Sequence, residues 1–314
     1  MTGGTGYLGK WMIDFFYYAR KRADLDFELV LLNRNIQAFL RKYPELSGEY
    51  WFSYVEGDIR NFSFPAGRFT YVIHAATDVV ATVSSLETFE VTALGTRRIL
   101  DFAKDRGVSD VLIVSSRAVY GVFPDGVDRI SESFLGQVDV KSNRAAYGLG
   151  KLVAEWLGNI YTRQDGLSCK TARMFAQVGP YLDLDAHFAI GNFIRNILDK
   201  RNLIVEGDGT PIRSYMYGTD LIVWLLRILI KGEPGATYNV DSEEAISLRD
   251  LADLVVNIGS ADSSKVKVLG HSVTGAAPNH YLPNTTLAHR ELGLLITVQL
   301  KEAIKRTINW HRGQ

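Results

Sequence analysis

The chain has 314 residues, 46% of them apolar and 22% charged, and Lys+Arg equals Asp+Glu at 35 each. That is a globular composition without the basic surplus of a nucleic-acid binder, and its longest apolar run, residues 221–230, is interrupted by Arg227 and is about half of what a bilayer crossing needs. The single cysteine, Cys169, excludes an internal disulfide and a thiolate metal site; with no secretory pattern among the first residues, a soluble cytoplasmic protein without metal or membrane contact is expected.

Met1 is followed by Thr2-Gly3-Gly4-Thr5-Gly6-Tyr7-Leu8-Gly9 and then by a helical pattern over residues 8–21. Glycines at 3, 6 and 9 suit a dinucleotide loop. The first lets the chain turn, the second lets backbone N–H groups approach a pyrophosphate, and the third lets helix and sheet pack closely. The helix N-terminus adds a favourable dipole. Such a loop normally closes a buried strand, yet only Met1 and Thr2 stand before it. The expectation is that the natural protein begins further upstream, with an apolar, β-rich run, and that the chain as given is less stable for lacking it.

Strands are predicted over residues 28–32, 51–56, 71–75, 110–115 and 169–175, alternating with helices over 36–43, 86–106 and 147–163. Several of these strands are apolar without strict alternation, the pattern of a parallel sheet covered on both faces. The alternation predicts a doubly wound α/β sheet. The first strand ends at Asn33-Arg34, where an acidic residue would grip the ribose hydroxyls of NAD and an Arg accommodates a 2′-phosphate. The pair leans towards NADP, a solvated Arg34 being the plainer alternative. Asp58-Ile59, after the second strand, could meet the adenine. Ala75-Ala76, after the third, could let the cofactor pass closely. His74 just before them reads as a packed strand-end residue.

The strand over 110–115 runs into Ser115-Ser116-Arg117-Ala118-Val119-Tyr120-Gly121, and Tyr147-Gly148-Leu149-Gly150-Lys151 follows about thirty residues later. Four residues apart, Tyr147 and Lys151 share a helix face. An ammonium beside a phenol lowers its pKa, so that the Tyr can take or return a hydroxyl proton while hydride moves to or from a nicotinamide. Ser116 can hydrogen-bond the same substrate oxygen. Glu132, in the intervening loop, reads either as a sugar contact or as a solvated carboxylate.

After residue 178 the rhythm changes. Helices are predicted near 188–198, 220–230, 248–258 and 300–311, with a strand over 237–240. The division expected is a dinucleotide-binding domain over 1–178 and a smaller, mixed substrate-binding part over 179–314, with the chain crossing back near 215–240.

With the glycine loop, the serine strand end and Tyr-x-x-x-Lys in this order, the chain resembles the extended short-chain dehydrogenase/reductases, in particular the NAD-dependent epimerase/dehydratase group that modifies nucleotide sugars. Further carriers of the likeness are His74-Ala75-Ala76, residues 173–180, Gly207-Asp208-Gly209-Thr210-Pro211-Ile212-Arg213 and residues 283–293. The resemblance implies Ser116, Tyr147 and Lys151 as the catalytic three, Arg213 as a clamp on a nucleoside-diphosphate sugar, and Asn192 as a contact to its nucleotide or phosphates. It implies a homodimer formed through the helices over 86–106 and 147–163, with Leu94, Leu152 and Trp156 on the shared face. The chain departs from the group at Thr92 and Ala176, where Asn is usual. It departs also at Arg117 and Ala118, where 4,6-dehydratases carry an Asp-Glu pair. Neither of those side chains serves as a general acid or base at neutral pH. A 4-epimerase or 4-ketoreductase is therefore expected, with a 4,6-dehydratase, or a non-catalytic dinucleotide sensor on the same fold, as alternatives.

Overall fold

The computed structural model describes residues 1–23, 25–77, 83–123, 126–142, 145–186, 188–259, 265–271 and 280–314. The chain divides into two compact units: Met1–Gly121 with Val138–Arg173 and Leu225–Tyr238, and Val122–Gln137 with Met174–Trp224 and Asn239–Gln314.

The first unit is α/β. Helix α1 (Tyr7–Arg22) leads to strand β1 (Leu29–Asn33), helix α2 (Ile36–Lys42), strand β2 (Phe52–Glu56) and strand β3 (Tyr71–His74). Helix α3 (Ser85–Asp105), strand β4 (Asp110–Ser116), helix α4 (Ala145–Asp165) and strand β5 (Ser168–Met174) follow. β1 pairs in parallel with β2, and β3 in parallel with β4. On the other side of β4 the sheet continues through β5 to the strand Thr237–Val240. Between β1 and β3 stands Thr2, bridged in parallel to both Leu32 and His74. Its N–H donates to the Ile73 carbonyl at 3.0 Å, and Leu32 N–H to that of Met1 at 3.0 Å. Two residues thus join the two halves of the sheet. Below them, Met1, Val30, Leu32, Val55, Phe69 and Val72 line a small apolar cleft. The amino group of Met1 donates to the Val30 carbonyl at 2.7 Å, and burial pushes it down to about 5.

Apolar side chains fill both faces of the sheet. Ile13, Leu31, Ile36, Phe39, Leu46 and Trp51 form one cluster; Val72, Leu100, Val111, Ile113, Ala154 and Cys169 belong to another. Cys169 is core, and burial pushes its thiol up to about 11. α3 starts at a Ser84 cap, whose side chain accepts from Glu87 N–H.

The second unit contains helix α5 (Ala189–Leu198) and helix α7 (Leu248–Gly259), with helix α8 (Thr286–Leu292) and helix α9 (Leu300–Arg312) at its end; helix α6 (Gly218–Lys231) begins in this unit and ends in the first. Its strands are two or three residues long, Ile212–Arg213 lying between Ile246–Ser247 and His280–Tyr281. Among the described residues no helix is long and apolar enough to cross a membrane.

Candidate active site

The glycine loop enters α1 without a side-chain cap: Gly6 takes the N-cap position, and no acidic residue occupies the first turn. The first intrahelical bond runs from Lys10 N–H to the Gly6 carbonyl. The N–H groups of Tyr7, Leu8 and Gly9 therefore face out of the helix end, where an anion is stabilised. Gly3 has φ 79°, and a Cβ there would stand 2.6 Å from the backbone of Ala75. A Cβ on Gly9 would stand 2.2 Å from the Gly3 carbonyl oxygen. The loop, the strand end at Ala75-Ala76 and α1 thus pack backbone to backbone. Thr2 ties them together, its hydroxyl oxygen accepting from Ala75 N–H at 3.1 Å and Ala76 N–H at 3.0 Å.

That hydroxyl donates in turn to His74 Nδ1 at 2.9 Å, and His74 Nε2–H donates to Thr96 Oγ1 at 2.9 Å. Thr96 Oγ1–H donates to the Thr92 carbonyl at 2.6 Å, so the network assigns the Nε2–H tautomer. Burial, with the charges of Lys151 and the chain amino group, pushes His74 down to about 3. His74 is a neutral structural residue. Thr92 is also structural, donating to the Thr88 carbonyl at 2.7 Å.

At the end of β1, Asn33 Oδ1 accepts from Asn35 N–H at 2.8 Å, and Arg34 is exposed. Asp58 is held by a fork from Arg60, with Nε to Oδ1 at 2.8 Å and Nη2 to Oδ2 at 2.9 Å. Hydrogen bonds from Arg60, and the nearby charge of Arg34, keep its carboxyl below the usual range. Ile59 is turned into the core, against Gly95 of α3, so its side chain is not free to meet an adenine as expected.

The catalytic candidates lie where β4 meets α4. Ser116 ends β4 and caps the short 3-10 turn Arg117–Tyr120, its Oγ accepting from Ala118 N–H at 3.2 Å. Ser116 is a hydrogen-bonding neighbour that pulls Tyr147 down against burial. Lys151 is only 3% exposed; its Nζ donates to the Val114 carbonyl at 2.7 Å and lies 5.8 Å from the centre of the Tyr147 ring. Burial pushes Lys151 down to about 8, against the pull of Glu155. Burial also raises Tyr147, offset by the Ser116 hydrogen bond and the charge of Arg117. Sequence spacing predicted a Tyr147 lowered by Lys151. The structure corrects this, because burial outweighs the neighbours and the ammonium is directed at a backbone carbonyl.

Sequence reasoning missed the layer beneath. Glu155, 5% exposed, accepts from Ser115 Oγ and from Arg173, with Nη2 to Oε2 at 2.7 Å and Nε at 3.1 Å from Oε1. The Arg173 guanidinium lies 4.7 Å over the Tyr120 ring. The signal available was spacing alone, since 147, 151 and 155 recur at every fourth position.

The residues grouped by the first unit are thus Gly3, Gly6, Tyr7, Leu8, Gly9, Asn33, Arg34, Asp58, Ile59, Ala75, Ala76, Ser116, Tyr147 and Lys151. A helix N-terminus free of side-chain caps, a loop in which Gly3 and Gly9 have no room for a Cβ, and a Tyr–Ser–Lys group form a donor set suited to a nicotinamide dinucleotide. Over residues 1–241 the sequence matches the model of the NAD dependent epimerase/dehydratase family.

The chain belongs to that family. UDP-glucuronic acid decarboxylase 6 of Arabidopsis thaliana is 26% identical over 97% of this chain and 85% of its own length. In structure the chain resembles a dTDP-glucose 4,6-dehydratase from Streptomyces venezuelae with NAD bound, at TM-score 0.79 and 24% identity over 99% of this chain and 96% of that one. It also resembles UDP-glucose 4-epimerase from Thermotoga maritima, at TM-score 0.80 and 19% identity over 99% and 97%. At these identities the structural likeness shows the fold, a Rossmann-type α/β architecture.

Asn192 and Arg213 belong to the second unit. Asn192 sits in α5; with its amide oriented to satisfy its neighbours it donates to the carbonyls of Leu184 at 3.0 Å and Ala186 at 2.9 Å. The Arg213 guanidinium lies 4.2 Å over the Tyr281 ring, and Nη1 donates to the Ile212 carbonyl at 2.8 Å. Glu132 is half-buried, and its carboxylate accepts from Asn239 N–H at 2.8 Å. Ala176 N–H donates to Asp241, which also accepts from Ser214 Oγ at 2.8 Å.

Proposed function

We propose that this family member is an NAD(P)-dependent enzyme acting on a nucleoside-diphosphate sugar, as a 4-epimerase or 4-ketoreductase. The observation that carries the reading is Tyr147, with Ser116 as the neighbour that pulls it down, beside a buried Lys151 in the same unit as the dinucleotide loop. A bound nicotinamide would supply or accept hydride at the sugar carbon. Tyr147 then takes the proton of the sugar hydroxyl on oxidation, or returns it on reduction. Ser116 orients that oxygen and, with the charge of Arg117, favours the phenolate against burial, while Lys151 stands 5.8 Å from the Tyr147 ring centre.

Arg117 and Ala118 support epimerisation or net reduction. Removing a sugar hydroxyl needs an acid and a base next to the Tyr, and these two side chains supply neither. A second reading, 4,6-dehydration, draws on the likeness to the Streptomyces enzyme. A sensor without activity is disfavoured because Ser116, Tyr147 and Lys151 are all kept. On cofactor choice we favour NADP, because exposed Arg34 can pair a 2′-phosphate. Arg213, with a planar guanidinium already stacked on Tyr281, is the diphosphate clamp in this reading, and Asn192 a lesser contact because its amide is engaged by its own loop.

The test is Tyr147→Phe assayed with UDP- and dTDP-hexoses. Turnover should fall by about two or more orders of magnitude while dinucleotide affinity stays close to that of the unsubstituted protein. A variant keeping a third of the turnover would overturn the assignment.

A further inference from the structure

Three successive residues at the end of β4 each address a different turn of α4. Ser116 is the neighbour that pulls Tyr147 down, the Val114 carbonyl accepts from Lys151, and Ser115 Oγ donates to Glu155. Tyr147, Lys151 and Glu155 follow at four-residue intervals, so they form one stripe along the helix. The third clip differs from the first two in being charged. Glu155 is buried and also receives the fork of Arg173 from β5, whose side chain is 11% exposed. A single buried carboxylate is therefore paired with Arg173 on the neighbouring strand and stands four residues along its own helix from the buried Lys151.

We propose that Glu155 is a positioning residue for the reaction. Anchored by Arg173 and Ser115, it keeps Lys151 protonated and holds the β4 end, with Ser116, in register against Tyr147. The proposal rests on the reading of Tyr147 and Lys151 as the proton-handling pair, but its test does not depend on turnover.

The physical case is one of charge and place. A buried ammonium with only a carbonyl partner tends to lose its proton, because burial disfavours the charged form. The groups around Lys151 are otherwise neutral or positive. His74 of β3 is kept neutral by burial, its ring bonded to two threonines. Arg117 and Tyr120 come from the 3-10 turn, and Arg173 is a cation. α3 brings Thr92 against Gly150, and the Met1 amino group is buried among apolar side chains. Of these groups Glu155 alone is anionic. Arg173 fixes it by a two-pronged contact that leaves the carboxylate little freedom to rotate away. A Glu155–Arg173 pair acting only as a structural bridge would not need to stand one turn from Lys151.

The experiment is direct titration of Lys151 by NMR of the full chain labelled at lysine Cε, with the resonance assigned from its absence in Lys151→Arg. In Glu155→Gln the Lys151 midpoint should fall by about one pH unit or more from its value near 8, a tenfold loss of proton affinity. Because Glu155→Gln leaves Arg173 buried without a counter-charge, the double variant Glu155→Gln/Arg173→Met is titrated in parallel. It should fold more readily and still show a lowered midpoint, by a smaller margin, since a repelling cation has also gone. A Lys151 midpoint at or above that of the unsubstituted protein in the double variant would overturn the proposal. Loosened packing alone would hydrate Lys151 and move it up. Failure of Tyr147→Phe to reduce turnover would instead strike at the assignment of the acid/base and leave this titration unaffected.

Discussion

Individual side chains in the first unit carry charges that the fold has set against their ordinary values, and His74 shows the consequence for stability. Its folded value of about 3 lies below the unfolded value near 6.5. Between those pH values the unfolded chain binds a proton that the folded chain refuses. Stability from this group is therefore complete above pH 6.5 and is lost as pH falls towards 3, with a slope of up to about 1.4 kcal/mol per pH unit. Chemical denaturation at several pH values should show that slope, and His74→Gln should flatten it; an unchanged slope would contradict a buried neutral His74. Arg34 gives a second test at this scale. Arg34→Ala should weaken NADPH by about tenfold or more while changing NADH little, since only the former brings a 2′-phosphate. Equal effects, measured by fluorescence titration, would return Arg34 to the solvated surface. That Tyr147 and Lys151 share a helix face and that His74 is packed were legible because residue type and spacing alone define them. Glu155 and Arg173 were not, because charged residues read as solvated until a neighbouring strand and helix close over them.

At the level of elements, the glycines separate the demands of packing from those of ligand. A Cβ at Gly9 would stand within 2.4 Å of Gly4 backbone, whereas one at Gly6 would find only the Gly3 carbonyl oxygen at 3.6 Å, an ordinary contact. Gly9→Ala should therefore destabilise the fold by about 1–3 kcal/mol or more. Gly6→Ala should melt within a degree or two of the parent, yet lose roughly tenfold or more in dinucleotide affinity, because its methyl occupies the face that a pyrophosphate approaches. Calorimetry and dinucleotide titration on the two variants decide the matter, and normal affinity in Gly6→Ala would remove the loop from the binding site. The main strands and helices were readable to within one or two residues from hydrophobic periodicity. Two-residue strands such as Gln177–Val178 and Met216–Tyr217, and the seven-residue α8, were not, because they are too short to display a period and are fixed by their partners.

For the whole molecule, the open question with a physical handle is assembly. α3 and α4 pack on each other within the first unit, yet each keeps large apolar side chains in water. Leu86 is 68% exposed, Leu94 52% and Trp156 58%, while Leu152 is half-buried. Single exposed leucines are ordinary, but a Trp with most of its surface in solvent on one helix, together with two leucines on the helix beside it, is an unusual cost for a monomer. Two copies meeting through these helices would bury that surface in a four-helix arrangement, and the expected state is a homodimer. Trp is the residue type that most often dominates such contacts. Trp156→Glu should then weaken self-association by about tenfold or more, with Leu94→Glu acting in the same direction. Neither change should unfold the protein, because both side chains already project from their helices. Sedimentation at micromolar concentration measures this directly. A monomeric mass for the unsubstituted chain, or a dimer indifferent to Trp156→Glu, would show that the face is covered in some other way.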